Sequence, residues 1–237
     1  MALALPSPTR FRTKQEFVYR ALRDEIMSCE LGPGQRLVID DLARRLEVSA
    51  IPVREALQTL QSEGLVQSVP HVGATVSPIS RESIDEVFAV MEGLEIVATR
   101  GAAERLTADD ARAIGEVVAA MDEAASQGRH EEWADLNTRF HTSISRLSAM
   151  PMLQEMTERV LSRWDRVRRY YFSGVLVHRI EQAQGEHREI FAAMKARDYA
   201  ALEDTVKKHN RGAHVAYAEY LHTHAVERVM APPGDEP

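Results

Sequence analysis

The chain has 237 residues, 44% of them apolar and 27% charged, with a net charge of −7. That length favours two domains over one core, and the composition is ordinary for a soluble globular protein. No apolar run approaches the roughly 20 residues needed to span a bilayer, and the start from Met1 to Pro8 lacks the basic and apolar regions of a secretory signal. The only cysteine, Cys29, excludes an internal disulfide, and a cytoplasmic location is expected. The acidic balance is uneven. Up to Pro78 there are nine Lys/Arg and nine Asp/Glu, so the whole deficit lies beyond. A neutral first part can still meet phosphates through a local basic cluster, because contact follows local potential. Arg10, Arg12, Lys14, Arg44, Arg45 and Arg54 are available for one.

Residues 1–11 read as a flexible arm. Apolar spacing predicts a helix from Thr13 to Cys29, stopped by Leu31-Gly32-Pro33-Gly34. A second helix covers Ile39 to Glu47. Ser49 then precedes a third, where its side chain is expected to cap an orphan amide and Pro52 sits harmlessly in the first turn. Val53, Ala56, Leu57 and Leu60 face inward on it, and Arg54, Gln58 and Gln61 outward. Two helices joined by a short turn form the layout that enters a DNA major groove. Leu65–Val69 and Ala74–Ser77 alternate around Pro70-His71-Val72-Gly73, which predicts a β-hairpin or wing.

Pro78-Ile79-Ser80 is the expected hinge. Everything after it is helical in pattern: 81–105, 108–127, 130–148, 151–173, 176–196 and 199–224, with Thr107 and Asp110 resembling a capping box. Loops this short favour antiparallel neighbours in a bundle. The Pro-rich acidic end reads as disordered. The fold class is therefore mostly α, a winged helix-turn-helix with a small hairpin followed by an antiparallel helical bundle. Its expected divisions are an arm (1–11), a DNA-binding domain (12–78), an effector-binding and dimerisation domain (79–226) and a tail (227–237).

Eight of the nine histidines follow Pro78. Asn137 and His141 stand four apart, so both leave one helix face. His187 interrupts the apolar seam Ile180, Ala183, Ile190, Met194, and His209 the seam Leu202, Val206, Ala213, Tyr220. Any one of these is most simply a core histidine with one hydrogen bond. Three together, with an amide, are costly to bury without a common partner. A divalent metal, zinc or nickel, is the simplest, and it would leave coordination positions for water or a carboxylate metabolite. His214, His222 and His224 read as solvated or supporting groups, His130 and His178 as surface residues.

The run Gly34-Gln35-Arg36-Leu37, Leu42-Ala43, Val48-Ser49, Pro52-Val53-Arg54-Glu55-Ala56-Leu57, Glu63-Gly64-Leu65-Val66, closing on Gly73 and Val76, resembles the winged helix of the GntR family of bacterial transcription regulators. The helical remainder resembles the effector domain of the FadR subfamily, known as the FCD domain. The resemblance implies DNA contacts by Ser49, Ile51, Pro52, Arg54 and Gly73, and a homodimer on a two-fold symmetric, double-stranded operator; Arg44 and Arg45 join the expected contacts from the local basic cluster. It also implies a metal at Asn137, His141, His187 and His209, with Asn137 in place of the family's aspartate. Ala50 and Met91 stand where relatives often carry arginine. Arg100 and Arg163, and likewise Arg146 and Arg166, are candidate replacements for Met91 in holding a small organic-acid effector, although each reads more simply as a surface salt-bridge residue. The expected function is a ligand-responsive repressor, not an enzyme. The rivals are a metal-dependent enzyme built on the bundle, and a constitutive DNA-binding protein whose bundle only dimerises. No HExxH pair, P-loop or nucleophile elbow supports the enzyme.

Overall fold

A computed structural model describes residues 13–230. The expected arm at residues 1–11 and the expected tail beyond Met230 lie outside them. The chain divides into two compact units after Ile79.

In the first unit, α1 (Lys14–Met27), α2 (Ile39–Arg45) and α3 (Ala50–Ser62) precede the strands β1 (Val66–Val69) and β2 (Gly73–Val76). Helix α1 starts where Thr13 accepts a bond from the Glu16 amide. Phe17, Leu22 and Ile26 recur on one face and pack with Leu37, Val53, Leu60 and Val76 in a single core. The strands are antiparallel, Val66 opposite Val76 and Val69 opposite Gly73, and Arg36 adds a bridge to Thr75. Gly73 sits at φ +97°, a conformation that favours glycine at the end of this turn.

One local expectation fails. Ser49 stands at the N-cap of α3, but its side chain makes no capping bond. A capping hydroxyl reaches the amide two or three residues on. Pro52, at the third helical position, has no amide to offer, which removes one of the two usual targets, and the serine is exposed.

The second unit contains α4 (Arg81–Arg105), α5 (Ala108–Ser126), α6 (His130–Leu147), α7 (Pro151–Tyr170), α8 (Val177–Ala196) and α9 (Tyr199–Met230). Helices α4 and α5 begin with capping boxes, Ser80 with Ser83 and Thr107 with Asp110. Helix α4 packs on α9, α7 and α6, and α8 on α9 and α5. Ala102, Met121, Trp133, Phe140, Ile190 and Leu202 belong to the core between them. The expected interruption at Gly174 is instead a π-helical segment, Phe172–Leu176, running straight into α8. A Cβ at Gly174 would lie 2.4 Å from the Tyr220 ring, so this glycine is what lets the two helices close together. Helix α9 also runs on past residue 224 to Met230.

Leu60 is fully buried in the first unit, and both tryptophans belong to the second. Leu60→Ala is expected to cost about 2–5 kcal/mol, the usual range for such a truncation. Urea unfolding followed by far-ultraviolet circular dichroism should show an earlier transition. Tryptophan fluorescence, which reports the bundle alone, should move little.

Candidate functional site

Two constellations carry chemistry, one in each unit. On α3 the residues Ile51, Arg54, Gln58 and Gln61 are exposed and share a face, opposite the buried Val53, Ala56, Leu57 and Leu60. Ile51 is 67% exposed. Arg44 and Arg45 at the end of α2 are exposed too, but both are engaged. Arg44 meets Asp41 at 3.1 Å, and Arg45 is held by Glu25 at 2.6 Å. Gly73 lies exposed at the wing turn. Pro52 is buried, so it shapes the start of α3 and is not itself on the outer surface. The expected DNA face thus narrows to Ser49, Ile51, Arg54 and Gly73, with the two paired arginines at its edge.

The second constellation lies inside the bundle. His141 on α6, His187 on α8 and His209 on α9 bring ring nitrogens within 4.8 Å of one another. Nε2 of His141 and Nε2 of His187 are 3.3 Å apart, and the His187 and His209 rings have centroids 4.6 Å apart. All three are buried, His187 completely. Asn137, one turn before His141, lines the same cavity, which encloses about 40 Å³. Phe88, Met91, Leu161, Trp164, Ala213 and Tyr217 form its apolar wall.

Each of two histidines carries a carboxylate on its outer nitrogen. Glu95 Oε1 sits 2.7 Å from Nδ1 of His141, and Glu186 Oε2 accepts from Nδ1 of His209 at 2.8 Å. A carboxylate there favours a proton on Nδ1 and leaves the Nε2 lone pair for the centre. The carboxylates are themselves oriented. Asn210 donates to Glu95 Oε2 at 2.7 Å, and Arg179 donates to Glu186 Oε2 at 2.9 Å and to the His209 carbonyl at 3.0 Å. Behind the site the Trp133 indole donates to Gln184, whose amide donates to Asp122 and to the Val118 carbonyl.

The ionisation pattern suits a cation. Burial pushes the Glu95 and Glu186 carboxyls up. His141 beside Glu95, and the bonds from His209 and Arg179 to Glu186, more than offset that and hold both below the ordinary carboxylate range. Burial pushes His187 well below its ordinary 6.5, helped by the neighbouring histidines; burial also lowers His209, partly countered by Glu186. Two neutral imidazoles are therefore favoured at neutral pH, as a metal requires. Nitrogens bound tetrahedrally at about 2.0–2.1 Å stand a little over 3 Å from one another, close to the observed Nε2 separation. His187 Nδ1 is buried with no hydrogen-bond partner. The donor set fits a divalent metal.

Several sequence expectations are redrawn here. Arg100 is exposed, pairing with Glu104 at 3.6 Å and lying over the Tyr199 ring, and Arg163 is exposed on α7; neither lines the cavity. The arginine that does is Arg179. His214 is half-buried, bonded to Asp85 at 2.5 Å and packed on Phe88. Glu95 was overlooked, though its signal was the one used for the histidines: it breaks the inward seam Ile84, Phe88, Met91, Ala98, Ala102 on α4. Arg179 and Asn210 had no such signal, since each follows or precedes an inward residue without breaking a regular step.

A winged helix with an arginine on its outward recognition face, and a helical domain with a buried polar cavity, together define a DNA-binding regulator with a ligand-sensing module. The family comparisons name it. Residues 14–76 match the bacterial regulatory proteins of the gntR family, and residues 86–212 match the FCD domain. The chain belongs to the GntR family and has the FadR-type architecture, a DNA-binding transcriptional regulator and not an enzyme. It is 31% identical over 208 residues to an uncharacterized HTH-type transcriptional regulator in an unstable DNA locus of Streptomyces ambofaciens, covering 86% of this chain and 84% of that one. It is 28% identical over 192 residues to the Escherichia coli HTH-type transcriptional repressor RspR, covering 81% and 83%. The solved structure of E. coli McbR/YncC superimposes with a TM-score of 0.70 at 26% identity, over 89% of this chain and all of that one. No helix among the described residues is long and apolar enough to cross a membrane.

His187 and His209 set a pH dependence in chelator-treated protein. Their folded pKa values lie below the ordinary 6.5, so the unfolded chain binds more protons once pH drops beneath it. Stability is complete above 6.5 and is lost as pH falls toward the folded values, at up to about 1.4 kcal/mol per pH unit for each group. Thermal melts should therefore weaken from about pH 6.5 downward. A Tm that holds steady through the range below 6.5 until carboxylates titrate would contradict this.

Proposed function

We propose that this regulator is a homodimeric repressor that releases a two-fold symmetric operator when a small organic acid enters the helical domain. We further propose that a divalent metal, zinc or nickel, is held there by His141, His187 and His209, with Asn137 as a weaker oxygen donor. The observation that carries the reading is the inward convergence of three imidazoles, two of which face Glu95 and Glu186 through their outer nitrogens. A purely structural bundle gains nothing from burying three such rings around a cavity. When bound, the metal supplies Lewis acidity toward a carboxylate oxygen.

The remaining work falls to the chain's own groups. Imidazole is a favoured ligand for zinc and nickel, which supports that choice over magnesium or calcium. The apolar wall of Phe88, Trp164 and Tyr217 excludes water and accepts a hydrocarbon tail. Helix α4 lines the cavity through Phe88, Met91 and Glu95, and it follows directly on Pro78-Ile79, the tether to the DNA-binding unit. A ligand that shifts α4 resets the spacing of the two recognition helices in a dimer. Half-sites lie about one DNA turn apart, so a few ångströms of change weaken operator binding. Repression is supported by the name of the relative RspR, a transcriptional repressor.

Two measurements test this. Arg54→Ala should weaken binding to a selected operator duplex by about 1–3 kcal/mol, the worth of a good base contact, in a gel-shift titration; unchanged affinity removes Arg54 from the interface. Replacing His187 and His209 together by alanine should abolish stoichiometric metal by elemental analysis. Full metal occupancy in that variant would refute the ligand assignment.

A further inference from the structure

Helix α3 turns an isoleucine to solvent at the end where a recognition helix meets DNA. Among the described residues of the first unit, three large apolar side chains are exposed: Val38 at 38%, Val72 at 40% and Ile51 at 67%. A single apolar residue on a surface is ordinary. Ile51 differs in its position. It is the second residue of α3 and stands three before Arg54, so both share the outward face, opposite Val53, Ala56, Leu57 and Leu60. Of its neighbours in the first turn, Pro52 and Val53 are buried and Ala50 is a half-buried methyl. The amino-terminal end of the helix therefore presents hydrocarbon, and the first polar side chain of α3 itself is Arg54.

The residues at the start of a recognition helix contact base edges in the major groove. An isoleucine side chain can neither donate nor accept a hydrogen bond. Pressed on the edge of guanine, adenine or cytosine, it strips water from donors and acceptors and returns nothing, which is costly for any polar group buried alone. Thymine is the exception, because its C5 carries the one methyl group that the natural base pairs show in that groove. There the two apolar surfaces cover each other, and both gain by leaving water.

We propose that Ile51 selects a thymine in each operator half-site by packing on its C5 methyl group. This rests on the outward face of α3 being the surface that reads DNA. Helix spacing places the base. Three helical residues rise about 4.5 Å, against about 3.4 Å for one base-pair step, so the thymine lies within about two base pairs of the base that Arg54 contacts. One buried methyl is worth about fourfold in affinity, and the two half-sites of a dimer's operator together about fifteenfold. Arg54 then supplies the polar contact of each half-site and Ile51 the apolar one, from adjacent turns of one helix.

The test starts from full-length protein and a random duplex library, from which bound sequences are enriched. In the enriched operator each thymine is replaced in turn by deoxyuridine, which keeps every hydrogen-bonding group and lacks only the methyl. Affinities are read by fluorescence anisotropy. One symmetric pair of thymines, within about two base pairs of the position whose preference relaxes in Arg54→Ala, should lose about fifteenfold when both are changed. Ile51→Ala should bind the thymine and deoxyuridine duplexes alike. Ile51 is exposed, so that variant keeps its fold, which circular dichroism checks. A wild type indifferent to deoxyuridine at every position overturns the proposal, while a loss of affinity in Arg54→Ala leaves the reading face standing. A deoxyuridine penalty that persists undiminished in Ile51→Ala overturns it too, and assigns the methyl's effect to DNA shape or another side chain. If no sequence is enriched and Arg54→Ala binds DNA as the wild type does, the reading face falls and the proposal with it.

Discussion

The second unit is organised around one demand: three imidazoles buried in a helical bundle must each find partners for two nitrogens. Water is excluded, so the partners have to come from neighbouring helices. Glu95 on α4 meets His141 on α6, and Glu186 on α8 meets His209 on α9, while Asn210 and Arg179 satisfy the carboxylates in turn. Four helices are thus tied by contacts that only one relative setting permits. His187, at the centre, has no carboxylate on Nδ1 and faces His141 through Nε2. The rings are left with their free nitrogens turned toward a common point, which is the arrangement a metal site requires before any metal binds.

The lining of the cavity divides into aromatic and aliphatic side chains and the polar groups of Asn137, His141, His209 and Arg179. A ligand with one charged head and an apolar body matches that division. Helix α4 contributes Phe88, Met91 and Glu95 to that lining and continues from the Pro78-Ile79 tether. In the first unit the division of labour is simpler. A buried apolar face on α3 sets the helix, and its opposite face, with Arg54, is left for a partner.

Much of this was legible beforehand because helices and hairpins announce themselves by period. The apolar steps of α1 and α3, the alternation flanking Gly73 and the Thr107–Asp110 cap all arise within a few residues of chain, where local sterics dominate. His187 and His209 stood out for the same reason, as polar residues placed on inward faces. The misjudged features each depended on something local pattern lacks. Ser49 was read as a side-chain cap without counting the amide that Pro52 removes. The break expected at Gly174 is a π turn, and Gly174 packs against Tyr220, which lies far along the chain. Arg100 and Arg163 are solvent-facing, in line with their simpler reading as surface residues and not with the anion-ligand alternative.

What the amino-acid order alone determined, then, was the two-part organisation, the outward face of the recognition helix and the histidines that share the bundle interior, since all of these follow from periodicity and composition. What only the tertiary structure decided was which charges stand behind which rings. Glu95 reaches His141 across 46 positions of chain, and Asn210 reaches Glu95 across 115. Such pairings depend on helix crossing and axial offset, which side-chain packing sets over the whole core. Arg179 joined the site by that route, carried there by the packing of α8 on α9.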